Sequence, residues 1–172
     1  TGDSYDRQKA VDFAMTYCCN PKPEICPVQK NKNGEEEDCT NFASQVLLSG
    51  GFFPTEHWYC GTYAWVNVNG FYDYLIQSNL ARKCELKDLQ PGDFIQYNEK
   101  YLIVFDNWHH TAVVIEKGNN PKLVYHSVNR CNSNHDYVKK TFNEARFLCI
   151  NSPPPTSPIK ILSVPGNDKC SI

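Results

Sequence analysis

Residues 35–51 read Glu35-Glu36-Glu37-Asp38-Cys39-Thr40-Asn41-Phe42-Ala43-Ser44-Gln45-Val46-Leu47-Leu48-Ser49-Gly50-Gly51, and this stretch predicts one helix with both ends marked. Asp38 suits the N-cap, because its carboxylate can accept hydrogen bonds from the free N–H groups of the first turn. Ser49-Gly50-Gly51 predicts the end, because glycine tolerates the left-handed conformation that closes a helix. The apolar positions share one helical face, which we expect to pack inward: Cys39, Phe42, Ala43, Val46 and Leu47.

Cys39 stands in the first turn of this predicted helix, at the edge of the inward face. The helix dipole and the free N–H groups there favour a thiolate over a thiol. A cysteine nucleophile is prepared in this way. A buried structural cysteine, or one half of a disulfide, would fit the same position.

The chain has nine cysteines, a high number for 172 residues. They are spread without a repeated C-x-x-C pair, so they do not resemble a zinc site. They indicate a disulfide framework formed in an oxidising compartment, and we therefore expect a secreted protein. Because nine is odd, at least one thiol has no partner within the chain. Parity does not identify that thiol, but together with the helix it predicts that Cys39 is free and that the other eight are paired.

Length and composition limit the classes of protein to which the chain can belong. With 172 residues, of which 41% are apolar, it can bury one ordinary core. A net charge of -2 and a pI near 6.2 provide no basic field for nucleic acid or for a membrane surface. No apolar run is as long as a membrane span, and the chain opens without a signal peptide, so a secreted protein would be in its mature form. We expect a monomer without metal or cofactor.

The order of the predicted elements indicates an α+β fold. An amphipathic helix over residues 5–18, capped by Ser4, precedes the Cys39 helix, and a short helix capped by Asn69 follows it. Helices followed by antiparallel strands are typical of helices packed on one face of a sheet. The strands are predicted at 94–97, 111–116, 123–127 and 145–150, with 101–105 continuing or pairing with the first of them.

Two domain ranges follow from this order. Residues 1–150 would form the catalytic domain. Residues 151–172 contain Pro153-Pro154-Pro155 and would form an extension that packs on the same domain, pinned by Cys170.

Aromatic side chains are concentrated between residues 52 and 65, outside any strand pattern. Such a cluster is either core beneath a long loop or the wall of a binding cleft. Aromatic walls can stack on a ligand and hydrogen-bond it, so we expect these side chains to line one side of a groove and Trp108 the other. For Trp65, plain core is the alternative. The candidates within the cluster are Trp58, Tyr59, Tyr63 and Trp65.

His109 and His110 stand at the start of the strand predicted at 111–116, and His126 lies on the strand predicted to pair with it. A cysteine nucleophile needs a base, and that base needs a third polar group to fix its tautomer. A strand-start histidine and a polar residue of the adjacent strand could supply both. A surface histidine pair and a hydrogen-bonded strand histidine would fit the same spacing.

Six short motifs stand in a fixed order between residue 5 and about residue 130: Tyr5-Asp6-Arg7-Gln8-Lys9-Ala10-Val11, Asp38-Cys39-Thr40-Asn41-Phe42-Ala43-Ser44-Gln45, Trp65-Val66-Asn67-Val68-Asn69-Gly70-Phe71, Pro91-Gly92-Asp93-Phe94-Ile95-Gln96-Tyr97, His110-Thr111-Ala112-Val113-Val114 and His126-Ser127-Val128-Asn129-Arg130. In this order they resemble the putative amidase domain family, a branch of the CHAP/NlpC-like cysteine peptidases that act on bacterial cell wall. Each motif is modest alone, but six in order make a specific match.

The resemblance implies a papain-like architecture in which Cys39 is the nucleophile and His110 is the base. For the group that orients the base it offers both His126 and Asn129, and we prefer His126, which strand alternation and pairing place nearest the His110 strand. It also implies cleavage of amide bonds in peptidoglycan or its peptide fragments. The reaction would proceed by thiolate attack and an acyl-enzyme, with the oxyanion held by N–H groups at the helix start.

The cysteine content and the cysteine-bearing tail depart from the usual bacterial member of that family, which leaves the host and the substrate open. Two other functions fit the same residues. One is a secreted binding protein without catalysis on the same fold, and the other is an acyl or glutamyl transferase that uses the same cysteine and histidine.

Overall fold

The computed structural model describes residues 5–99, 106–161 and 170. Within them, no helix is both long enough and apolar enough to cross a lipid bilayer. In chain order the elements are α1 (Arg7–Tyr17), α2 (Cys39–Ser49), α3 (Tyr63–Val66), α4 (Val68–Gln77), β1 (Ala81–Cys84), a 3₁₀ turn (Leu86–Asp88), β2 (Phe94–Asn98), β3 (Trp108–Glu116), β4 (Lys122–Tyr125), β5 (Arg130–Asn134), α5 (His135–Lys139) and β6 (Glu144–Ile150).

The six strands form one antiparallel sheet in the order β1-β6-β2-β3-β4-β5. Strand β3 lies near the centre, between β2 and β4, and carries the histidine pair at its start. The predicted α+β class, with N-terminal helices and an antiparallel sheet, is confirmed. Strands β1 and β5 and the short helix α5 were not predicted.

Side chains alternate across the sheet and divide the core into two layers. Phe94 and Val113 face the helices and share a cluster with Val46 of α2 and Phe71 of α4. The other layer forms on the opposite face of the sheet, because neighbours along a strand point in opposite directions. Its members include Ile95, Tyr97, Ala112, Val114, Leu123 and Val138.

Helix α2 has the predicted bounds, but its burial differs from the predicted single inward face. Every residue from Cys39 to Leu47 is buried. The helix tolerates this because its polar side chains have internal partners, as buried polar groups require. Thr40 and Thr111 join their hydroxyls at 2.9 Å, and the Ser44 hydroxyl donates to the Trp65 carbonyl at 2.9 Å. These bonds fix the helix in rotation as well as in position.

Two of the predicted helix caps are corrected, and the residue predicted for one of them, Ser4, lies outside the described residues. Helix α1 begins after Asp6, whose carboxylate accepts from the Lys9 N–H at 3.0 Å, and Ser4 is not described. Helix α4 is capped by Asn67 rather than Asn69, since the Asn67 side chain accepts from the Gly70 N–H. The strand predicted at 101–105 also lies outside the described residues.

The first and fourth motifs meet through a buried ion pair. Arg7 donates to the Asp93 carboxylate at 2.8 Å and to the Pro91 carbonyl at 3.0 Å, while the Tyr5 hydroxyl donates to the Gly92 carbonyl at 2.9 Å. These bonds tie the start of α1 to the turn that opens β2. Because α1 packs on α2, they also position the helix that carries Cys39.

The structure pairs eight of the nine cysteines and leaves Cys39 free, so that prediction is confirmed. All nine lie in the described part of the chain. Two contacts hold the extension after β6 to the first helix and the residues directly after it. Cys170 is bridged to Cys19, and Gln8 and Lys160 exchange two hydrogen bonds of 2.8 and 2.9 Å. The four bridges are Cys18–Cys131, Cys19–Cys170, Cys26–Cys60 and Cys84–Cys149.

Candidate active site

Cys39 is the first residue of α2 and lies against the start of β3. Its Sγ is 3.9 Å from the carbonyl oxygen of His109, to which the thiol can donate, and 3.8 Å from the Thr40 hydroxyl. The N–H of Thr111 is a further partner for the sulfur. The sulfur therefore sits beside the backbone on both sides of His110, held there by the Thr40–Thr111 hydroxyl contact.

Burial raises the pKa of the Cys39 thiol above its ordinary value of 9.0. Hydrogen bonds from Thr111 and Thr40 act in the opposite direction but are smaller, and the neighbouring Asp38 charge adds to the rise. The expectation of a thiolate prepared by the helix dipole is therefore wrong for the free protein. Loss of water around the sulfur outweighs the dipole, and Cys39 rests as a neutral thiol.

Asp38 occupies the N-cap position of α2 but does not cap it. Its carboxylate accepts from the backbone N–H of Gln29 at 2.9 Å and from the side-chain amide of Asn41 at 2.8 Å, and it bonds Nδ1 of His126 at 2.7 Å. The first-turn N–H groups of a helix have no partner within the helix. With the Asp38 carboxylate engaged elsewhere, the N–H of Cys39 has no partner among the described residues, whereas the N–H of Thr40 bonds the Cys39 sulfur.

His126 lies on the helix side of the sheet and not beside His110. Its Nε2 is 2.8 Å from the carbonyl oxygen of Tyr17 at the end of α1, and its ring stacks on Phe42 of α2 with centroids 3.9 Å apart. The sequence predicted that this residue continues the strand. Instead β4 ends at Tyr125, and the chain turns toward the start of α2. His126 thus connects the end of α1, through the Tyr17 carbonyl, to the start of α2, through the Asp38 carboxylate.

His110 shares the opposite face of β3 with Ala112 and Val114, and its ring is held by aromatic packing. Tyr125 meets it edge-on at 4.6 Å between centroids, and Phe142 is parallel to it at 5.9 Å. Burial, with a smaller contribution from His109, lowers the pKa of His110 from 6.5 to about 3. The imidazole is therefore neutral at pH 7 and able to accept a proton.

Cys39 and His110 line one cleft of about 530 Å³, which they reach from opposite faces of β3. Within the described part of the chain the two side chains are not hydrogen-bonded to each other. His109 differs from His110 in being exposed. Strand alternation places it on the Thr111 side, the side of α2.

Asn129, the other predicted orienting residue, is half-buried in the connection between β4 and β5. Its side-chain oxygen Oδ1 is buried and has no hydrogen-bond partner among the residues that the structure describes. Asn129 does not line the cleft. The aromatic rings of Tyr125 and Phe142, which the sequence did not single out, are what fix the orientation of His110.

Trp108 lines the cleft as predicted from the sequence, and a stacked arrangement holds it there. The guanidinium of Arg146 lies 3.9 Å from the Trp108 ring and 3.7 Å from the Tyr72 ring, between the two. Arg146 in turn donates to Gln96 at 2.9 Å and to Asn69 at 3.0 Å. The indole is thus positioned by a cation on its inner face and is available to a ligand on the other.

Trp58 and Trp65 lie in the core and not along the cleft, which corrects the prediction for these two residues. They are 1% and 2% exposed, and their indole N–H groups donate to Ser44 and Asn41 of α2. A buried indole needs such an acceptor, and the polar residues of α2 supply it. Both tryptophans therefore stabilise the helix that carries Cys39.

Tyr59 and Tyr63 are 51% and 62% exposed, and neither lines the cleft. Other side chains, which the sequence analysis missed, line the cleft instead: Val128, Tyr137 and Phe142. Asn67, between α3 and α4, and Val68, the first residue of α4, also line it. Exposed apolar residues beside a turn were the available signal for Val128, but nothing in the sequence placed that turn at the cleft.

The only group of potential metal ligands at suitable spacing among the described residues is Cys18, Cys19 and Cys131. All three belong to disulfides. Their sulfur atoms are therefore not available as thiolate ligands.

Comparison with known proteins gives one match. A family model described as "Putative amidase domain" matches residues 4–149. No curated protein and no solved structure matches the chain. The matched range runs from the start of α1 to the end of the sheet and includes Cys39, the histidine pair and the connection between β4 and β5.

Proposed function

Because this chain belongs to the putative amidase domain family, we propose that it is a cysteine-dependent amidase of the CHAP/NlpC-like type that cleaves amide bonds in peptidoglycan. One observation carries the proposal. The single unpaired cysteine of the chain stands at the start of a buried helix and shares a cleft with a neutral histidine.

The reaction begins with a neutral pair. His110 accepts the thiol proton while Sγ of Cys39 attacks the carbonyl carbon of the amide. Because the pKa of His110 is near 3 and that of the thiol is raised, a separated thiolate and imidazolium are unfavourable. We therefore expect proton transfer to be coupled to formation of the carbon–sulfur bond.

The developing oxyanion needs N–H donors that no other group occupies. The backbone N–H of Cys39 meets this need, because the Asp38 carboxylate bonds Gln29, Asn41 and His126 instead of the first turn. The protonated His110 then gives its proton to the leaving amine. Water hydrolyses the resulting thioester with His110 again as the base.

His109 is a second candidate for the base. It lies on the α2 side of β3, and its carbonyl contacts the Cys39 sulfur. Its exposed ring could reach the thiol by rotation about its side-chain bonds. Single substitutions of His109 and His110 distinguish which of the two is the base.

The test is incubation with purified peptidoglycan, followed by mass analysis of the soluble fragments. We expect new amine and carboxylate ends from the wild type, none from Cys39→Ala, and a loss of at least about 100-fold from His110→Ala, in line with removal of a general base. His109→Ala should have a milder effect. His57→Ala serves as a matched control, because His57 is exposed and far from the cleft.

Absence of cleavage by the wild type, with retained binding, would favour the non-catalytic function. Equal losses from His109→Ala and His110→Ala would refute the assignment of the base. We also propose an extracellular location, because four disulfides form and persist in oxidising compartments.

A further inference from the structure

The connection between β4 and β5 holds two consecutive residues in the left-handed region of backbone conformation. Ser127 has φ 61° and Val128 has φ 67°. Glycine, asparagine and aspartate tolerate this region, whereas a β-branched residue such as valine is a genuine outlier there. The strain at Val128 must therefore be imposed by the surrounding structure.

Asp38 imposes it from the helix side. Its backbone N–H donates to the Ser127 hydroxyl at 2.7 Å, and its carboxylate bonds His126 at 2.7 Å. These two bonds attach the connection to the residue directly before Cys39. The connection and the nucleophile are therefore held as one unit, and Val128 has a fixed position relative to the sulfur.

The side chain of Val128 is not used by the core. It is 75% exposed and lines the same cleft as Cys39. The other non-glycine residue with positive φ in the described part of the chain, Asn79 at φ 57°, is of a type that accepts the conformation and lies away from the cleft. Among the described residues, only Val128 combines a strained backbone with an exposed apolar side chain, and it lies at the cleft.

We propose that Val128 is a specificity-determining residue whose isopropyl group contacts an apolar side chain of the substrate next to the cleaved amide. This inference rests on the proposed amidase function. The strain fixes the isopropyl group before the substrate arrives, so the contact needs no ordering of the loop on binding.

The experiment compares Val128→Gly and Val128→Asn with the control Asn79→Gly. Both Val128 variants should raise the melting temperature by about 2–4 °C, because each replaces a strained residue by one that accepts the conformation. Both should raise KM about fivefold to tenfold for substrates with an apolar residue beside the amide, with kcat within about twofold, as expected for loss of an apolar contact. Asn79→Gly should leave KM unchanged.

A second readout does not depend on hydrolysis. The rate of Cys39 alkylation is measured with N-phenylmaleimide, which is apolar, and with iodoacetamide, which is small and polar. The ratio of the two rates should fall about threefold or more in both Val128 variants.

If the wild type fails to cleave peptidoglycan but the ratio falls, the substrate proposal fails and the role of Val128 stands. If the wild type cleaves, and KM and the ratio are unchanged in both variants, the role of Val128 is refuted. A lower melting temperature in both variants would refute the strain argument.

Discussion

Replacing His126 by alanine should lower the free energy of unfolding by about 3–5 kcal/mol, because it leaves the buried Asp38 carboxylate without its closest partner. Its side chain and that of Asp38 are 4% and 3% exposed, and the two lie 2.7 Å apart. Both ring nitrogens of His126 face acceptors, the Asp38 carboxylate and the Tyr17 carbonyl. The variant leaves that buried carboxylate without this partner and removes the ring stacked on Phe42.

The assay is urea unfolding monitored by circular dichroism, together with kcat on peptidoglycan in the folded fraction. Asp38→Asn is the second single variant, and His126→Ala combined with Asp38→Asn completes a double-mutant cycle. Because the two groups are in direct contact, the double variant should be less destabilised than the sum of the singles, by about 1–3 kcal/mol. A loss below about 1 kcal/mol in His126→Ala, with kcat abolished, would refute the reasoning. It would instead support the sequence-based assignment of His126 as the group that orients His110.

Three further outcomes are expected. The free energy of unfolding should fall as the pH is lowered from 6.5 toward 3, by up to about 1.4 kcal/mol per pH unit, since the unfolded chain protonates His110 there and the folded chain, with its lowered pKa, does not. His110→Gln should remove this component in pH-dependent urea unfolding, and an unchanged slope would contradict it. Trp108→Ala should raise KM about tenfold with little change in melting temperature, whereas Trp58→Ala should cost about 3–5 kcal/mol and leave KM of the folded fraction unchanged; the reverse pattern would show that their roles are exchanged. Replacing Cys26 and Cys60 together by serine should cost about 2–4 kcal/mol in thermal unfolding, and a cost near zero would mean that this bridge does not constrain the chain.

Local patterns predicted the framework of the molecule well. Helix α2 has the bounds that Asp38 and the two following glycines predicted, because caps and periodicity are properties of neighbouring residues. Parity of the cysteines, combined with that helix, pointed to Cys39 as the free thiol. The β-branched run Thr111–Ile115 of β3 placed the histidine pair at a strand start.

Contacts between residues far apart in sequence could not be predicted in this way. Asp38 bonds His126 across 88 positions, and this partner displaces the cap that local rules assign to it. Trp58 and Trp65 are core because α2 offers acceptors for their N–H groups, which only the packed helix reveals. No local pattern predicts the left-handed backbone conformation of Val128, since β-branched residues such as valine disfavour it.

The protonated state of Cys39 has a consequence for the chemical durability of the chain. A free cysteine in a chain with four disulfides can rearrange them, because a thiolate attacks disulfide sulfurs and exchanges the bridges. Only the thiolate attacks, and burial keeps the thiol pKa of Cys39 above its ordinary value. The same burial should slow its oxidation to sulfenic acid, which also follows thiolate character and exposure. In an oxidising environment this burial should therefore keep the one free sulfur reduced and the four bridges in register.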